Sequence, residues 1–121
     1  MTKPRANLFV AVHDQLFMRN LSPAELKALL DANSVVLLDV RQAEELEIAQ
    51  LPGALHIPLN ELPTRLGELN AEAPIAVLCH HGVRSEMAGR LLERNGFASV
   101  AHLSGGIDAW SQVIDPAIAR Y

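Results

Sequence analysis

The run Val35-Val36-Leu37-Leu38 is continuously apolar over the length of a strand, with no polar residue alternating through it. A strand that is apolar on both faces is typical of the centre of a parallel sheet that helices cover on both sides. A second run, Ile75-Ala76-Val77-Leu78, has the same character. Helix-like segments separate the two runs, and parallel strands need such crossover connections. The pattern therefore predicts an α/β protein with three layers, α/β/α, around a central sheet.

Shorter strand patterns complete a predicted sheet of five strands, most of them parallel. The predicted strands are residues 16–19, 35–38, 54–57, 75–78 and 99–103. The first predicted helix begins in the capping box of Ser22 and Glu25, with Pro23 at the first helical position, and ends near Asn33. The other predicted helices span residues 42–48, 60–69 and 84–94, and a short one opens at Gly105-Gly106.

The length of 121 residues predicts one domain, which we place at residues 17–121 after an N-terminal extension at 1–16. Hydrophobic residues make up 50% of the chain but aromatic residues only 4%, so we expect an aliphatic core. The net charge of −4 argues against nucleic-acid and anionic-membrane partners, because both require a basic face. No apolar run reaches the ~18 residues of a membrane helix, and we expect no signal peptide.

Cys79 is the only cysteine of the chain. A single thiol excludes a disulfide within the chain and a zinc site built from several cysteines. The neighbouring His80 and His81 could ligate a metal by their chemistry, but adjacent residues rarely converge on one ion. We therefore expect no metal and no cofactor. A free thiol is best preserved in a reducing compartment, which favours the cytoplasm.

The segment that begins at Cys79 connects a predicted strand to a predicted helix. Backbone amides and the positive end of the helix dipole meet at such a turn, where they stabilise a thiolate or a bound anion. Gly82 can take a positive φ there, and Arg84 adds a cation. Two interpretations follow: Cys79 is a nucleophile, or it is an ordinary buried residue of the core. Asp39 ends another predicted strand and is expected at the same edge of the sheet.

Four segments, taken in order, resemble the rhodanese-type sulfurtransferases. The resemblance covers residues 17–121 and rests on Leu37-Leu38-Asp39-Val40-Arg41 with Glu44-Glu45, on Pro52-Gly53-Ala54-Leu55-His56-Ile57-Pro58, on Cys79-His80-His81-Gly82-Val83-Arg84-Ser85, and on Gly96-Phe97 through Gly105-Gly106-Ile107-Asp108-Ala109-Trp110. One departure stands out. The family usually has Gly-His-Ile before the Pro-Gly-Ala turn, where this chain has Ala49-Gln50-Leu51.

The resemblance implies a single-domain sulfurtransferase with a rhodanese-like fold and Cys79 as its nucleophile. Cys79 would take the sulfane sulfur of a small anionic donor such as thiosulfate, become a persulfide, and pass the sulfur to a thiol acceptor or a sulfur-relay protein. Arg84 would offset the charge of the donor. The backbone amides of the loop would hold the sulfur, and the implied substrate-binding residues are His80, His81, Gly82, Val83, Arg84 and Ser85.

Two other functions stay open. Cysteine-dependent phosphatases place five residues between cysteine and arginine, whereas four separate Cys79 from Arg84, a tighter ring that suits a single sulfur atom better than a phosphoryl group. A phosphatase or arsenate reductase therefore ranks below sulfur transfer. A non-catalytic rhodanese-like binding module is the other alternative, although such modules usually lack the cysteine.

The remaining polar residues near the predicted site are expected to support the loop. We expect Asp39, Arg41 and Glu45 to brace it, with Arg41 paired to Glu44 or Glu45. His80 and His81 either contact the donor or lie at the rim in solvent. The other expectations are structural: His56 and His102 as hydrogen-bonded structural groups, Trp110 as an anchor of the last helix, and residues 115–121 as a tail on the surface.

Overall fold

The computed structural model describes residues 18–121. Within them, five strands form one sheet: β1 (Arg19–Leu21), β2 (Val36–Asp39), β3 (Leu55–His56), β4 (Ile75–Leu78) and β5 (Val100–Leu103). The strand order is β1-β5-β4-β2-β3, and every neighbouring pair is parallel. All residues of β4 and β5 are buried. The predicted parallel five-stranded sheet is confirmed.

Among residues 18–121, four α-helices accompany this sheet: α1 (Pro23–Asp31), α2 (Ala43–Ile48), α3 (Val83–Arg94) and α4 (Gly106–Val113). Leu26 of α1 and Ile107 and Trp110 of α4 pack on one face of the sheet, in a core that includes Leu37. Ala88 and Leu92 of α3 pack on the other face. The structure thus has the predicted three layers, with Trp110 buried as expected.

The start of α1 follows the sequence prediction. The Ser22 hydroxyl accepts a hydrogen bond from the Glu25 amide at 3.1 Å, and the Glu25 carboxylate accepts one from the Ser22 amide at 2.8 Å. This capping box satisfies two amides that the helix leaves unpaired at its N-terminus. Pro23 occupies the first turn, where a missing N–H costs nothing.

Two predicted elements differ from the structure. The helix expected at residues 60–69 is a pair of short 3-10 helices, Leu59–Thr64 and Leu66–Glu68, because Pro63 cannot donate to the carbonyl four residues earlier. The first strand, expected at residues 16–19, lies at Arg19–Leu21. The predicted N-terminal extension at 1–16 lies outside the described residues.

No helix between residues 18 and 121 has the length and apolar character needed to cross a bilayer.

Candidate active site

Cys79 directly follows β4, the central strand that lies between β2 and β5. Its side chain is almost fully buried. The Gly82 amide donates a hydrogen bond to Cys79 Sγ at 3.0 Å, and the Ser85 hydroxyl lies 3.4 Å from the sulfur. The sulfur therefore sits inside the turn that leads into α3, close to the positive end of the helix dipole. This placement surrounds the sulfur with hydrogen-bonding groups and differs from that of a cysteine packed only among apolar side chains.

Gly82 shapes the cysteine loop from within. Its φ of 113° lies in the left-handed region that favours glycine, as the sequence predicts, and it is the residue that caps the N-terminus of α3. A Cβ atom at this position would lie 3.3 Å from the Gly105 amide nitrogen. Both the backbone conformation and the close approach of the β5–α4 turn therefore require glycine.

The N-terminus of α4 holds the outer side of the same loop. The Ile107 amide donates to the Cys79 carbonyl at 2.8 Å, and the Asp108 amide donates to the His80 carbonyl at 3.2 Å. A Cβ atom on Gly106, whose φ is 64°, would overlap the His80 carbonyl and lie 2.6 Å from the Cys79 carbonyl oxygen. These bonds turn the carbonyls of Cys79 and His80 toward α4, on the side of the loop away from the Gly82 amide that donates to the sulfur.

Ser85 links the thiol to a buried histidine. Its hydroxyl lies 2.9 Å from His102 Nδ1 and 3.1 Å from the Gly82 carbonyl oxygen. His102 Nε2 lies 2.6 Å from Asn20 Oδ1 on β1. Ser85 is fully buried and His102 is 5% exposed. The expectation that His102 is a hydrogen-bonded group is confirmed. The structure adds that Ser85, one of its two partners, also contacts the sulfur of Cys79.

Arg84 of α3 pairs with a carboxylate of α2. Its guanidinium donates two hydrogen bonds to the Glu45 carboxylate, at 2.6 and 2.8 Å. This contact with Arg84 is the main reason that the pKa of Glu45 falls from 4.5 to about 2. The Tyr121 hydroxyl and the Gln42 amide also donate to Glu45. In this structure the cation expected for a substrate anion is already balanced by a carboxylate.

The expected pairing of Arg41 with Glu44 or Glu45 is wrong. The Arg41 side chain instead donates to the Asp39 carboxylate, at 2.7 to 3.2 Å, and both side chains are almost completely buried. Arg41 also donates to the Ala49 carbonyl at 2.8 Å. Asp39 is the nearer partner because it ends β2 two residues earlier, whereas the carboxylate of Glu45 is engaged by Arg84. Asp39 and Arg41 thus brace the chain between β2 and α2.

Tyr121 is the residue of this site that the sequence interpretation missed. The tail was expected only to lie on the surface, but the Tyr121 hydroxyl accepts a hydrogen bond from Arg41 and donates one to Glu45, both at 2.8 Å. Its ring stacks on His80, with ring centroids 3.7 Å apart. Eighty residues separate Arg41 from Tyr121. No local pattern connects residues so far apart, so the sequence carried no signal for this contact.

His80 lies between Tyr121 and His81, whose ring centroid is 3.8 Å from its own. Burial, followed by the proximity of His81, lowers the pKa of His80, so its ring is neutral at neutral pH. Val83 is 70% exposed and contributes its backbone rather than its side chain to the loop. The structure therefore brings together at the sulfur only part of the predicted set, through Gly82 and Ser85.

An apolar cavity of about 660 Å³ lies on the face of the sheet that α1 and α4 cover. Leu30, Leu51 and Trp110 are among its lining residues, and Cys79 is not. Its only ionisable lining groups are Asp31 and Asp115, among the residues from 18 to 121. The chemistry of the chain is therefore concentrated at the cysteine loop.

The contact between Arg84 and Glu45 should make the stability of the protein depend on pH. Because the pKa of Glu45 is lower in the folded protein, its contribution is present above pH 4.5 and is lost as the pH falls toward about 2. We expect Glu45→Gln to cost about 1–2 kcal/mol at neutral pH, after solvent screening, and much less near pH 2. Urea unfolding of both proteins across this range measures the difference. Glu44→Gln, an exposed neighbour on α2, is the control. A wild-type advantage that stays constant with pH would contradict the prediction.

Comparison with known proteins decides the family. The family model of the rhodanese-like domain matches residues 22–113, which include β2, the cysteine loop and α4. The chain belongs to the rhodanese-like domain family. The resemblance found in the sequence is thereby confirmed, and the cysteine loop of this rhodanese-like domain occupies the turn after the central strand.

The rhodanese-like domain is similar to two curated relatives in sequence and to one solved structure in fold. It is 45% identical over 78 residues to the putative sulfur carrier protein YrkF of Bacillus subtilis, a match that covers 64% of this chain and only 42% of that protein. It is 33% identical over 91 residues to a sulfurtransferase of Allochromatium vinosum, covering 75% of this chain and 85% of that protein. The structure of the human single-domain sulfurtransferase TSTD1 is similar with a TM-score of 0.73 and 27% identity, over 78% of this chain and 96% of that one.

Proposed function

We propose that this rhodanese-like domain is a sulfurtransferase that carries a sulfane sulfur as a persulfide on Cys79. The observation that supports this function best is the position of Cys79 Sγ inside the turn before α3, where the Gly82 amide donates to it at 3.0 Å. An anion at this point is stabilised by backbone amides and the helix dipole, without a metal or a second thiol. Relatives named as sulfurtransferases and as a putative sulfur carrier support the same reaction class.

The proposed reaction has two displacement steps. In the first, the Cys79 thiolate attacks the outer sulfur of a donor such as thiosulfate. A new S–S bond forms, the bond between the outer sulfur and the sulfite group breaks, and its electron pair leaves with sulfite. In the second, a thiolate of the acceptor attacks the outer sulfur of the persulfide, and Cys79 leaves as the thiolate. A covalent intermediate of this kind predicts ping-pong kinetics.

The residues around the loop have distinct parts in this proposal. The amides of residues 80–85 would stabilise the outer sulfur of the persulfide. Arg84 would help to attract an anionic donor. Because its guanidinium is paired with Glu45, this ion pair must either open or share the guanidinium with the donor. His80 and His81 form a stack with Tyr121, where they would shape access to the loop.

The four-residue spacing between Cys79 and Arg84 favours sulfur over phosphate as the group transferred. Phosphate needs a wider ring of amides and a cation aimed into it, whereas Arg84 is engaged by Glu45 at 2.6 and 2.8 Å. The acceptor in this proposal is a small thiol or the thiol of a sulfur-relay protein. A free nucleophilic thiol fits a reducing compartment such as the cytoplasm.

Intact-mass measurement after incubation with thiosulfate tests the proposal. We expect the mass to increase by one sulfur atom and to return to its starting value when cyanide removes that sulfur. Because Cys79 is the only cysteine, protein alkylated at its thiol is a matched control and should gain nothing. Absence of the gain in unmodified protein would overturn the proposal. In that case, hydrolysis of an aryl phosphate would point to a phosphatase, and its absence to a binding module.

A further inference from the structure

A continuous chain of hydrogen-bonding groups leads from the Cys79 sulfur to the edge of the sheet. It runs from Cys79 Sγ to Ser85 Oγ at 3.4 Å, from Ser85 Oγ to His102 Nδ1 at 2.9 Å, and from His102 Nε2 to Asn20 Oδ1 at 2.6 Å. The first three residues are buried, whereas Asn20 on the edge strand β1 is exposed. The chain therefore joins the reactive sulfur to the solvent side of β1.

The contact with Asn20 sets the tautomer of the His102 ring. Asn20 Oδ1 can only accept, so His102 Nε2 carries a proton and donates it. Burial lowers the pKa of His102, which leaves the ring neutral at neutral pH with a lone pair on Nδ1. The Ser85 hydroxyl has one proton and faces two acceptors, that lone pair at 2.9 Å and the Gly82 carbonyl oxygen at 3.1 Å, while its oxygen accepts from the Cys79 thiol. When the hydroxyl donates to His102 Nδ1, the three groups are aligned to pass a proton from the sulfur toward His102.

Within the described part of the chain, two charged side chains act on the His102 ring. Glu86 of α3 favours its protonated form, and Arg90 of the same helix opposes it; burial outweighs both. From β1 the ring meets the uncharged Asn20, and from the cysteine loop it meets Ser85 and, beyond it, Cys79. A thiolate at Cys79, separated from the ring by one hydroxyl, would add to Glu86 in balancing a protonated His102.

We propose that Ser85 and His102 form a proton relay that removes the thiol proton of Cys79 and so prepares the thiolate for sulfur transfer. The Cys79 proton moves to Ser85 Oγ while the Ser85 proton moves to His102 Nδ1. The products are a thiolate that accepts a hydrogen bond from Ser85 and an imidazolium that donates from both nitrogens. No atom or electron is left over, and the reverse transfer restores the thiol. The role of the relay in catalysis rests on the proposed function, whereas the proton transfer itself does not. His102 acts through Ser85 and is a positioning residue.

Titration of the thiolate by its ultraviolet absorbance, with the spectrum of Cys79→Ser subtracted, measures the relay without any substrate. In His102→Asn the amide oxygen can still accept from Ser85, but the side chain cannot take a proton. We expect the midpoint of thiolate formation to move up by about one pH unit, because the variant cannot form the imidazolium that the relay places one hydroxyl away from the thiolate. The rate of persulfide formation below the midpoint should fall about tenfold. His56→Gln, which removes a histidine that bonds to the Arg41 carbonyl, is the control and should leave the midpoint in place.

A second variant should move the midpoint in the opposite direction. Asn20→Asp places a carboxylate beside His102 Nε2 at an exposed position, where the fold tolerates it. A carboxylate there raises the pKa of His102 and makes it a stronger proton acceptor. We expect the midpoint of thiolate formation to fall by about one unit or less, because Asn20 is partly screened by solvent. In the double variant Asn20→Asp/His102→Asn this decrease should vanish, since the acceptor is absent.

Opposite shifts in the two single variants support the relay, and unchanged midpoints in folded protein overturn it. If His102→Asn fails to fold, Asn20→Asp and Ser85→Ala test the relay instead. The midpoint of thiolate formation must fall in Asn20→Asp, and this decrease must disappear in the double variant Asn20→Asp/Ser85→Ala. A purely structural His102 would change thermal stability and leave the midpoints alone. Shifted midpoints in a protein that gains no sulfur from thiosulfate would retain the relay and reject the proposed function. A protein that gains sulfur from thiosulfate, but whose variants have unshifted midpoints, would retain the proposed function and reject the relay.

Discussion

Cys79→Ser is expected to abolish persulfide formation and to reduce sulfur transfer from thiosulfate at least about 10³-fold. The serine oxygen can keep the hydrogen bonds that Gly82 and Ser85 make with the sulfur, so the loop should retain its shape. A hydroxyl at this point is a poor nucleophile toward sulfur because it does not ionise near neutral pH, whereas a thiol does. The loss therefore reports on chemistry and not on folding. Thiocyanate release in the presence of cyanide measures the rate.

The control for this prediction is the stability of the same variant. We expect its free energy of unfolding in urea to stay within about 1 kcal/mol of the wild type, because the new hydroxyl is hydrogen-bonded and similar in size. Residual activity above that of the uncatalysed reaction would show that another group carries the sulfur. A variant that loses activity only because it unfolds would be recognised by the same urea measurement.

Arg41→Met is expected to lower the free energy of unfolding by about 3 kcal/mol or more. The Arg41 and Asp39 side chains are 0% and 1% exposed, and the guanidinium makes three hydrogen bonds with the carboxylate. Methionine fills similar volume without charge, so Asp39 would be left buried and unpaired except for the amide of residue 41. The same change removes the donor to the Tyr121 hydroxyl and to the Ala49 carbonyl. Urea unfolding at neutral pH gives the magnitude.

Two further variants separate buried charge from lost contacts. Lys27→Met breaks the exposed ion pair with Asp31, whose side chains are 49% and 65% exposed, and should cost under about 1 kcal/mol. Adding Asp39→Asn to Arg41→Met removes the unpaired charge and should recover part of the lost stability. If the double variant is as unstable as Arg41→Met alone, the cost lies in packing and hydrogen bonds instead of in the buried carboxylate.

The sheet and the cysteine loop could be predicted because their causes are local in sequence. The run at residues 35–38 is apolar throughout, so it had to be covered on both sides, and β2 lies in the sheet interior. Gly82 follows a strand and precedes a helix, and its φ of 113° is what such a turn requires. The capping box at Ser22 is equally local, since its two partners are three residues apart.

The supporting contacts could not be predicted because they join distant segments. Asn20 and His102 are 82 residues apart and meet only because β1 pairs with β5. Arg41 had several carboxylates within reach along the chain, and only the folded backbone selects Asp39. Tyr121 reaches Glu45 across 76 residues. The prediction of an α-helix at residues 60–69 was wrong for a local reason. Pro63 removes a hydrogen bond that a regular α-helix needs, and the segment forms 3-10 helices instead.

The two amides that α4 donates to the cysteine loop bear on how the protein is made. Cys79 leaves the ribosome before Ile107 and Asp108, whose amides bond to the carbonyls of Cys79 and His80. Until α4 has been synthesised and has docked, those carbonyls are free to turn inward and the amides are not held toward the sulfur. We therefore expect the cysteine loop to reach its final shape around the sulfur only after the helix that holds its carbonyls is in place.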